Sequence, residues 1–263
     1  MRIALVELNI EWENKKANFD KLENIISSIS EEKADLLLLP EMSFTGFSMN
    51  VAKTKDSDME TVDHIKDLSC KTEMAIGAGW VKEGDKLCEN HYSIIYGNEQ
   101  LLDYVKIHPF SYSKEDNFFM GGNKISYCKY KDFDIGVQIC YDLRFPEPFQ
   151  ALSKSTSLII VPANWPQKRR EHWNTLLKAR AIENQVYIAG INCAGEIGGL
   201  MYSGDSQLIN PNGDICNAKV IEVGSSDKVL IYDIKNDVPS YRDSFPTKDD
   251  RKEQLYIKFY ENL

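Results

Sequence analysis

The chain has 263 residues, with 31 Lys and Arg against 40 Asp and Glu and a formal net charge of −9. Such a length can bury a core without disulfides or metal, and 43% hydrophobic with 11% aromatic residues excludes a disordered or collagen-like chain. The acidity argues against nucleic acid and anionic membranes as partners, because both call for a basic surface.

The first ten residues, MRIALVELNI, are interrupted by Glu7 and too short for a signal sequence. No later window approaches 18 uncharged apolar residues, so a membrane span is not expected and the cytoplasm is the expected location. Cys70, Cys88, Cys128, Cys140, Cys193 and Cys216 are separated by 18, 40, 12, 53 and 23 positions. That spacing suits neither a disulfide framework nor a zinc ribbon, and each cysteine taken singly reads as a small buried hydrophobe.

Arg2–Leu8 reads as a strand, and Phe19, Leu22, Ile26 and Ile29 follow helical spacing within a helix of about 15–31. Asp35–Leu39 is a continuous apolar run after one acidic residue, the pattern of a strand covered on both faces. A helix is predicted at Glu60–Cys70, then strands near Met74–Trp80, Tyr92–Tyr96 and Leu101–Ile107. Phe133–Cys140 is predicted as a strand with Ile135, Val137 and Ile139 on one face. A helix at Glu147–Ser153, a strand at Leu158–Val161, a helix at Arg170–Asn184 and a strand at Val186–Asn192 follow. Strands at Ser206–Ile209 and Val229–Tyr232 flank the turn signal Asn210-Pro211-Asn212-Gly213. Asn50–Ser57 and the tail after Ser244 read as loops. Interleaved strands and helices indicate a layered α/β architecture, and no linker or repeat divides the chain, so one domain over 1–263 is expected.

Common motifs carry little. Gly77-Ala78-Gly79 is half of a dinucleotide fingerprint with no helix after it, no phosphate-binding loop is present, and the four histidines lack metal-ligand spacing. Three places break local rules. Glu41 follows the apolar run that ends at Pro40, at the strand edge where α/β sheets place ligands, though singly it also reads as a surface or capping carboxylate. Lys106 sits in an apolar strand tail before Pro109; a lysine snorkelling from a strand edge is the plainer alternative. Cys140, in Gln138-Ile139-Cys140-Tyr141-Asp142-Leu143-Arg144-Phe145, comes where a strand turns towards a helix. That is the geometry of a nucleophile elbow, which exposes a side chain and frees backbone N–H groups.

Taken together, these segments resemble the carbon–nitrogen hydrolases of the nitrilase superfamily, whose Glu–Lys–Cys triad is matched by Glu41, Lys106 and Cys140. The likeness continues through Ala163-Asn164-Trp165-Pro166, His172-Trp173, Ala179–Gln185 and Tyr202–Ser206, and so covers nearly the whole chain. Cys140–Pro146, Ala163–Pro166 and Ala179–Gln185 most resemble the omega-amidase branch. The resemblance implies a four-layer αββα sandwich, no metal or organic cofactor, and at least a homodimer. It also implies amide substrates of the 2-oxoglutaramate or 2-oxosuccinamate type, and a second glutamate after the lysine. Glu115 is the best match for that glutamate, with Asp116 adjacent.

The expected chemistry follows from residue types. A thiol with an ordinary pKa of about 8.5 needs a base, here Glu41, which then returns the proton to the leaving amine. Lys106 and the Tyr141 N–H are the expected oxyanion partners. An anionic substrate on an acidic protein also needs a local cation: Arg169 is the candidate, Arg144 is assigned to an ion pair with Asp142 or Glu147, and Arg170 is a further possibility. Trp165, Phe119 and Tyr141 are the candidate walls. The alternatives are another amidase or N-carbamoyl hydrolase of the same fold, a true nitrilase, a Cys–His hydrolase using His108 or His172, and a non-catalytic binding protein.

Overall fold

The computed structural model describes residues 1–262. In chain order the strands and helices are β1 (Arg2–Glu7), α1 (Lys15–Ser28), β2 (Leu36–Leu38), α2 (Val51–Thr54), α3 (Glu60–Thr72), β3 (Ala75–Lys82), β4 (Cys88–Tyr96), β5 (Glu99–Val105), β6 (Phe119–Met120), β7 (Tyr127–Tyr130) and β8 (Phe133–Val137). They continue with α4 (Pro146–Leu152), β9 (Leu158–Ala163), α5 (Arg170–Asn184), β10 (Tyr187–Asn192), β11 (Ala194–Ile197), β12 (Leu200–Ser203), β13 (Gln207–Ile209), β14 (Lys219–Val223), β15 (Asp227–Asp233), α6 (Val238–Ser244) and α7 (Glu253–Tyr260).

Two sheets result. The larger runs β14-β15-β1-β2-β3-β4-β5, with β6 added beside β4, and the smaller runs β13-β10-β9-β8-β7. Alternation along β1 and β2 explains why they form inside the fold. Ile3, Leu5, Leu36 and Leu38 face the smaller sheet, whereas Ala4, Val6, Leu37 and Leu39 face α1 and α3. On the smaller sheet, Ile135, Val137, Ile139, Leu158, Ile160, Ala189 and Ile191 meet the larger one, and its other face packs on α4 and α5 through Phe149, Leu152, Trp173 and Leu177. The result is the expected αββα sandwich.

Strand direction positions the site. β1, β2 and β3 are parallel; β4 runs back and β5 forward, so Glu41 beyond β2 and Lys106 beyond β5 leave the same edge of the larger sheet. β8, β9 and β10 are likewise parallel, and their ends deliver Cys140, Asn164 and Cys193 from the smaller sheet.

Several expectations need correcting. The strand predicted over Phe133–Cys140 ends at Val137, and that over Leu101–Ile107 ends at Val105, because each chain leaves its sheet to present a functional side chain. Asn50–Ser57 contains the short α2, and the tail after Ser244 contains α7, whose Leu255, Tyr256, Ile257, Phe259 and Tyr260 are exposed. β4 starts at Cys88 rather than Tyr92, since Asn90 and His91 are polar yet buried. No helix among the described residues is long and apolar enough to cross a membrane.

Gly79 on β3 links this frame to the site. A Cβ there would press on the backbone nitrogen of Met42 and lie 2.9 Å from the carbonyl carbon of Glu41, atoms that cannot swing aside. Gly79→Ala is therefore expected to cost about 1–3 kcal/mol of stability, read as a lowered urea midpoint, and to lower turnover more than any equally destabilising change distant from Glu41. Wild-type kinetics in a folded Gly79→Ala enzyme would contradict this.

Candidate active site

Glu41 is fixed where the chain turns out of β2. Leu39 N–H donates to Gly77 O at 2.9 Å, Ser43 N–H donates to Gly79 O at 3.0 Å, and Ser43 Oγ donates to Pro40 O at 2.6 Å. Met42 takes φ +42° to complete the turn. Lys106 is held by its own N–H, which donates to Asn90 O at 2.9 Å, and by its carbonyl, which accepts from Gly122 N–H at 2.8 Å. Glu115 opens a short 3₁₀ turn, Glu115–Asn117, and its Oε2 accepts the Phe110 N–H at 2.5 Å. Glu115 is buried while Asp116 is exposed, which separates the two neighbouring carboxylates.

The three charged groups meet away from water. Lys106 Nζ donates to Glu41 Oε1 at 2.8 Å and to Glu115 Oε2 at 2.9 Å, and all three residues are at most 1% exposed. Burial alone would strip the proton from Lys106, but Glu115 and then Glu41 outweigh it and hold the ammonium above its ordinary pKa. Glu115 is pushed up, first by burial and further by Glu41, with Lys106 opposing. Charges of +1, −1 and −1 leave the cluster at −1.

Cys140 begins the 3₁₀ helix Cys140–Arg144 with φ +46°, an uncommon conformation for a residue with a Cβ and one that costs on the order of 1–3 kcal/mol. Asp142 holds the turn: its Oδ2 accepts the Ile139 N–H at 2.9 Å and the Tyr104 hydroxyl at 2.8 Å, while its Oδ1 accepts the His108 N–H at 2.9 Å. The elbow and the loop after Lys106 are thereby tied to one buried carboxylate. Burial, followed by the charge of Glu41, pushes the Cys140 thiol well above its ordinary pKa, and Lys106 pulls it back in part.

Asn164, at the end of β9, joins the two halves. Its N–H donates to Glu41 Oε2 at 3.1 Å, its Nδ2 donates to Glu41 O at 2.6 Å, and its own carbonyl lies 4.0 Å from Cys140 Sγ. Asn90 on β4 donates from Nδ2 to Glu41 Oε1 at 2.9 Å and to Glu115 Oε1 at 3.3 Å. Neither role was read from the sequence. Asn164 lay inside a segment singled out without a function, and Asn90 fell in polar Glu89-Asn90-His91, which breaks the strand pattern.

A cavity of about 260 Å³ opens over Cys140 and Lys106, and Tyr141, Trp165, Arg144 and Arg169 line it, with Phe47, Met49 and Tyr202 among the other walls. Phe119 does not line it: the ring is buried with Met42, Val81 and Cys88, because β6 pairs with the far side of β4. Arg144 also departs from expectation. It pairs with neither Asp142 nor Glu147; its guanidinium lies 4.7 Å from the Trp165 ring and 3.4 Å from His172 Nδ1. Burial and then the nearby Arg169 lower its pKa. Arg169 lies 5.5 Å from the Phe110 ring. Neither arginine has a carboxylate partner among the described residues, whereas Arg170 is paired with Asp205 at 2.5 Å. His108 Nδ1 is 2.8 Å from Asp142 Oδ1, and no histidine hydrogen-bonds the Cys140 thiol among the described residues. No group of three or more His, Cys, Asp or Glu among the described residues is arranged to hold a metal ion.

Known proteins resemble this chain in sequence and in fold. A profile of the carbon-nitrogen hydrolase family matches residues 2–243. The chain is 30% identical over 259 residues to the omega-amidase YafV of Yersinia enterocolitica, covering 98% of this chain and 99% of that one. It is 29% identical over 260 residues to 2-oxoglutaramate amidase of Bacillus subtilis strain 168, covering 97% and 98% of the two. Among solved structures, XC1258 from Xanthomonas campestris, a CN-hydrolase superfamily protein with an arsenic adduct in its active site, matches with a TM-score of 0.87 at 28% identity, covering 96% of this chain and 97% of that one. The NitN amidase of Nesterenkonia sp. AN1 shares the fold with a TM-score of 0.85 at 23% identity, covering 98% and 99%. Likeness in sequence and in fold runs over nearly the full length rather than through one motif, and the chain belongs to the carbon-nitrogen hydrolase family.

Proposed function

We propose that the protein is a thiol amidohydrolase that cleaves the terminal amide of small 2-oxo acid amides, of the 2-oxoglutaramate and 2-oxosuccinamate type, to the acid and ammonia. The observation that carries this reading is the buried Lys106 ammonium between two carboxylates, at the floor of a cavity shared with Cys140. Relatives named omega-amidase and 2-oxoglutaramate amidase support the substrate class. So do Arg144 and Arg169, because a 2-oxo acid brings the carboxylate that these guanidiniums lack. In this reading residues 1–263 act as one hydrolase domain, in a cytoplasmic homodimer or larger homo-oligomer.

Burial keeps the Cys140 thiol protonated at neutral pH, so its proton must leave as the sulfur attacks. Glu41 takes that proton, Sγ bonds to the amide carbon, and the carbonyl electron pair moves onto oxygen. Lys106 and the Tyr141 N–H stabilise that oxyanion; loss of one such donor typically costs about 10²–10³ in rate. Glu41 then protonates the amide nitrogen, the C–N bond breaks and ammonia leaves a thioester on Cys140. Water, giving its proton to Glu41, adds to the thioester carbon, and the departing sulfur recovers that proton. Glu115 keeps Lys106 in register and tunes the charge beside Glu41. Arg169, with Arg144 beside it, orients the carboxylate, and Trp165 and Tyr141 flank the chain of the substrate.

Ammonia release from 2-oxoglutaramate is expected to fall at least ~10³-fold in Cys140→Ala and about 10²–10⁴-fold in Glu41→Gln. A fully active Glu41→Gln enzyme would favour a Cys–His hydrolase instead. Comparing kcat/KM for a 2-oxo acid amide, an N-carbamoyl amino acid and a nitrile separates this reading from the other activities of the fold. Arg169→Met should raise KM for 2-oxoglutaramate about 10–100-fold and leave a neutral amide such as propionamide unchanged; equal losses on both would remove the carboxylate role. Lys106→Met strands two buried carboxylates without a cation, an expected loss of about 3–5 kcal/mol at pH 7. Stranded carboxylates have raised pKa values in the folded state, so stability is present at low pH and lost as pH rises through those values. The deficit should therefore shrink towards pH 5, and adding Glu115→Gln should recover part of it in urea unfolding.

A further inference from the structure

We propose that Asn90 is a positioning residue for the reaction, a neutral donor that locks Glu41 and Glu115 into one arrangement and leaves Glu41 Oε2 as the oxygen that exchanges a proton with Cys140. The proposal rests on Glu41 being the base.

Asn90 touches every charged member of the cluster. Its side chain donates to Glu41 Oε1 at 2.9 Å and to Glu115 Oε1 at 3.3 Å, and its backbone carbonyl accepts the Lys106 N–H at 2.9 Å. It is 1% exposed, sits near the start of β4 and does not line the cavity, so it meets the catalytic groups without meeting substrate. The orientation of the amide follows from charge. Turned the other way, Oδ1 would face two carboxylates; as placed, Nδ2 faces them and the buried Oδ1 has no partner among the described residues. An amide chosen only to satisfy itself would not leave that acceptor empty.

The consequence for Glu41 is asymmetry. Oε1 takes two donors, Lys106 Nζ and Asn90 Nδ2, whereas Oε2 takes a single one, the Asn164 N–H at 3.1 Å. The carbonyl of that same Asn164 lies 4.0 Å from Cys140 Sγ. Oε2 is thus the less occupied oxygen, and it shares Asn164 as a neighbour with the thiol, so in this proposal Asn90 keeps the base from rotating its free oxygen away. The other titratable groups that feel Glu41 are Cys140, Cys193 and Tyr202. None of them donates to Oε1; Lys106 bridges the same two oxygens as an ammonium, at 2.8 Å to Glu41 Oε1 and 3.1 Å to Glu115 Oε1, and Asn90 is the neutral donor there.

The test uses the full-length enzyme with 2-oxoglutaramate. Asn90→Ala is expected to lower kcat on the order of 10²-fold with KM changed less than about twofold. The acid limb of its pH–rate profile should move up by about one pH unit, because a buried carboxylate that loses a donor takes a proton more readily. Asn90→Asp keeps the shape and supplies a second readout if the alanine variant is poorly folded: protonated it can still donate, so its activity should recover relative to wild type as pH falls. Loss in Glu41→Gln together with unchanged kcat and pH profiles in both Asn90 variants would overturn the proposal alone. Loss of turnover in both variants without any change in pH profile would make Asn90 structural and overturn it as well. Full activity in Glu41→Gln would overturn the reading of the base, and this proposal with it.

Discussion

Lys106, Glu41 and Glu115 leave water together, carrying one positive and two negative charges into a region with almost no solvent. Each ion alone would cost several kcal/mol to bury, and their attraction offsets this only when geometry is tight and the remaining lone pairs are filled. Much of the surrounding structure answers that demand. The Phe110 and Asn164 N–H groups and the Asn90 amide take up the free carboxylate oxygens. Burial, and then the charge of Glu41, hold the neighbouring Cys140 thiol well above its ordinary pKa. In the proposed mechanism the thiol proton therefore leaves as the sulfur attacks, rather than before it.

That demand also explains why the site needs two sheets. Glu41 and Lys106 leave the edge of the larger sheet, and Cys140 and Asn164 leave the edge of the smaller one. Bringing them within hydrogen-bond range requires both sheets to end at the same level, which the shared core of Leu36, Leu38, Val137, Ile139 and Ile160 enforces. Asp142 adds a second tie between the halves through Tyr104 and His108. Above this floor Arg144 and Arg169 line the cavity, so a protein of net charge −9 carries a local concentration of positive charge there, since distant exposed charges are screened beyond about 8 Å at physiological salt.

The layered fold was legible because its strands are apolar runs or alternations bounded by clear breaks, as in Leu36–Leu39 and Phe133–Ile139. Glu41, Lys106 and Cys140 stood out because each violates its surroundings, a charge or a thiol at the end of an apolar strand. Asn90 was hidden for the converse reason: in a polar stretch, a polar residue attracts no notice until the fold buries it. Arg144 was misread because sequence proximity favoured Asp142 and Glu147, whereas Asp142 spends all its capacity on the elbow and the His108 loop. Phe119 was misread because a two-residue strand beside β4 cannot be anticipated from residue pattern. The short α2 and the exposed α7 gave no apolar periodicity facing a core, which is the signal on which helix prediction depends.

In the proposed mechanism the nucleophile hangs from one sheet and its base from the other, so the spacing that matters for chemistry is the thickness of a hydrophobic layer. Protein interiors are close-packed and resist compression, so that layer behaves as a stiff spacer rather than a hinge. A methylene gained or lost in the core that Leu38 and Ile139 share is expected to alter the gap between thiol and carboxylate. In the proposed mechanism, catalysis thus depends on core residues that never see a substrate.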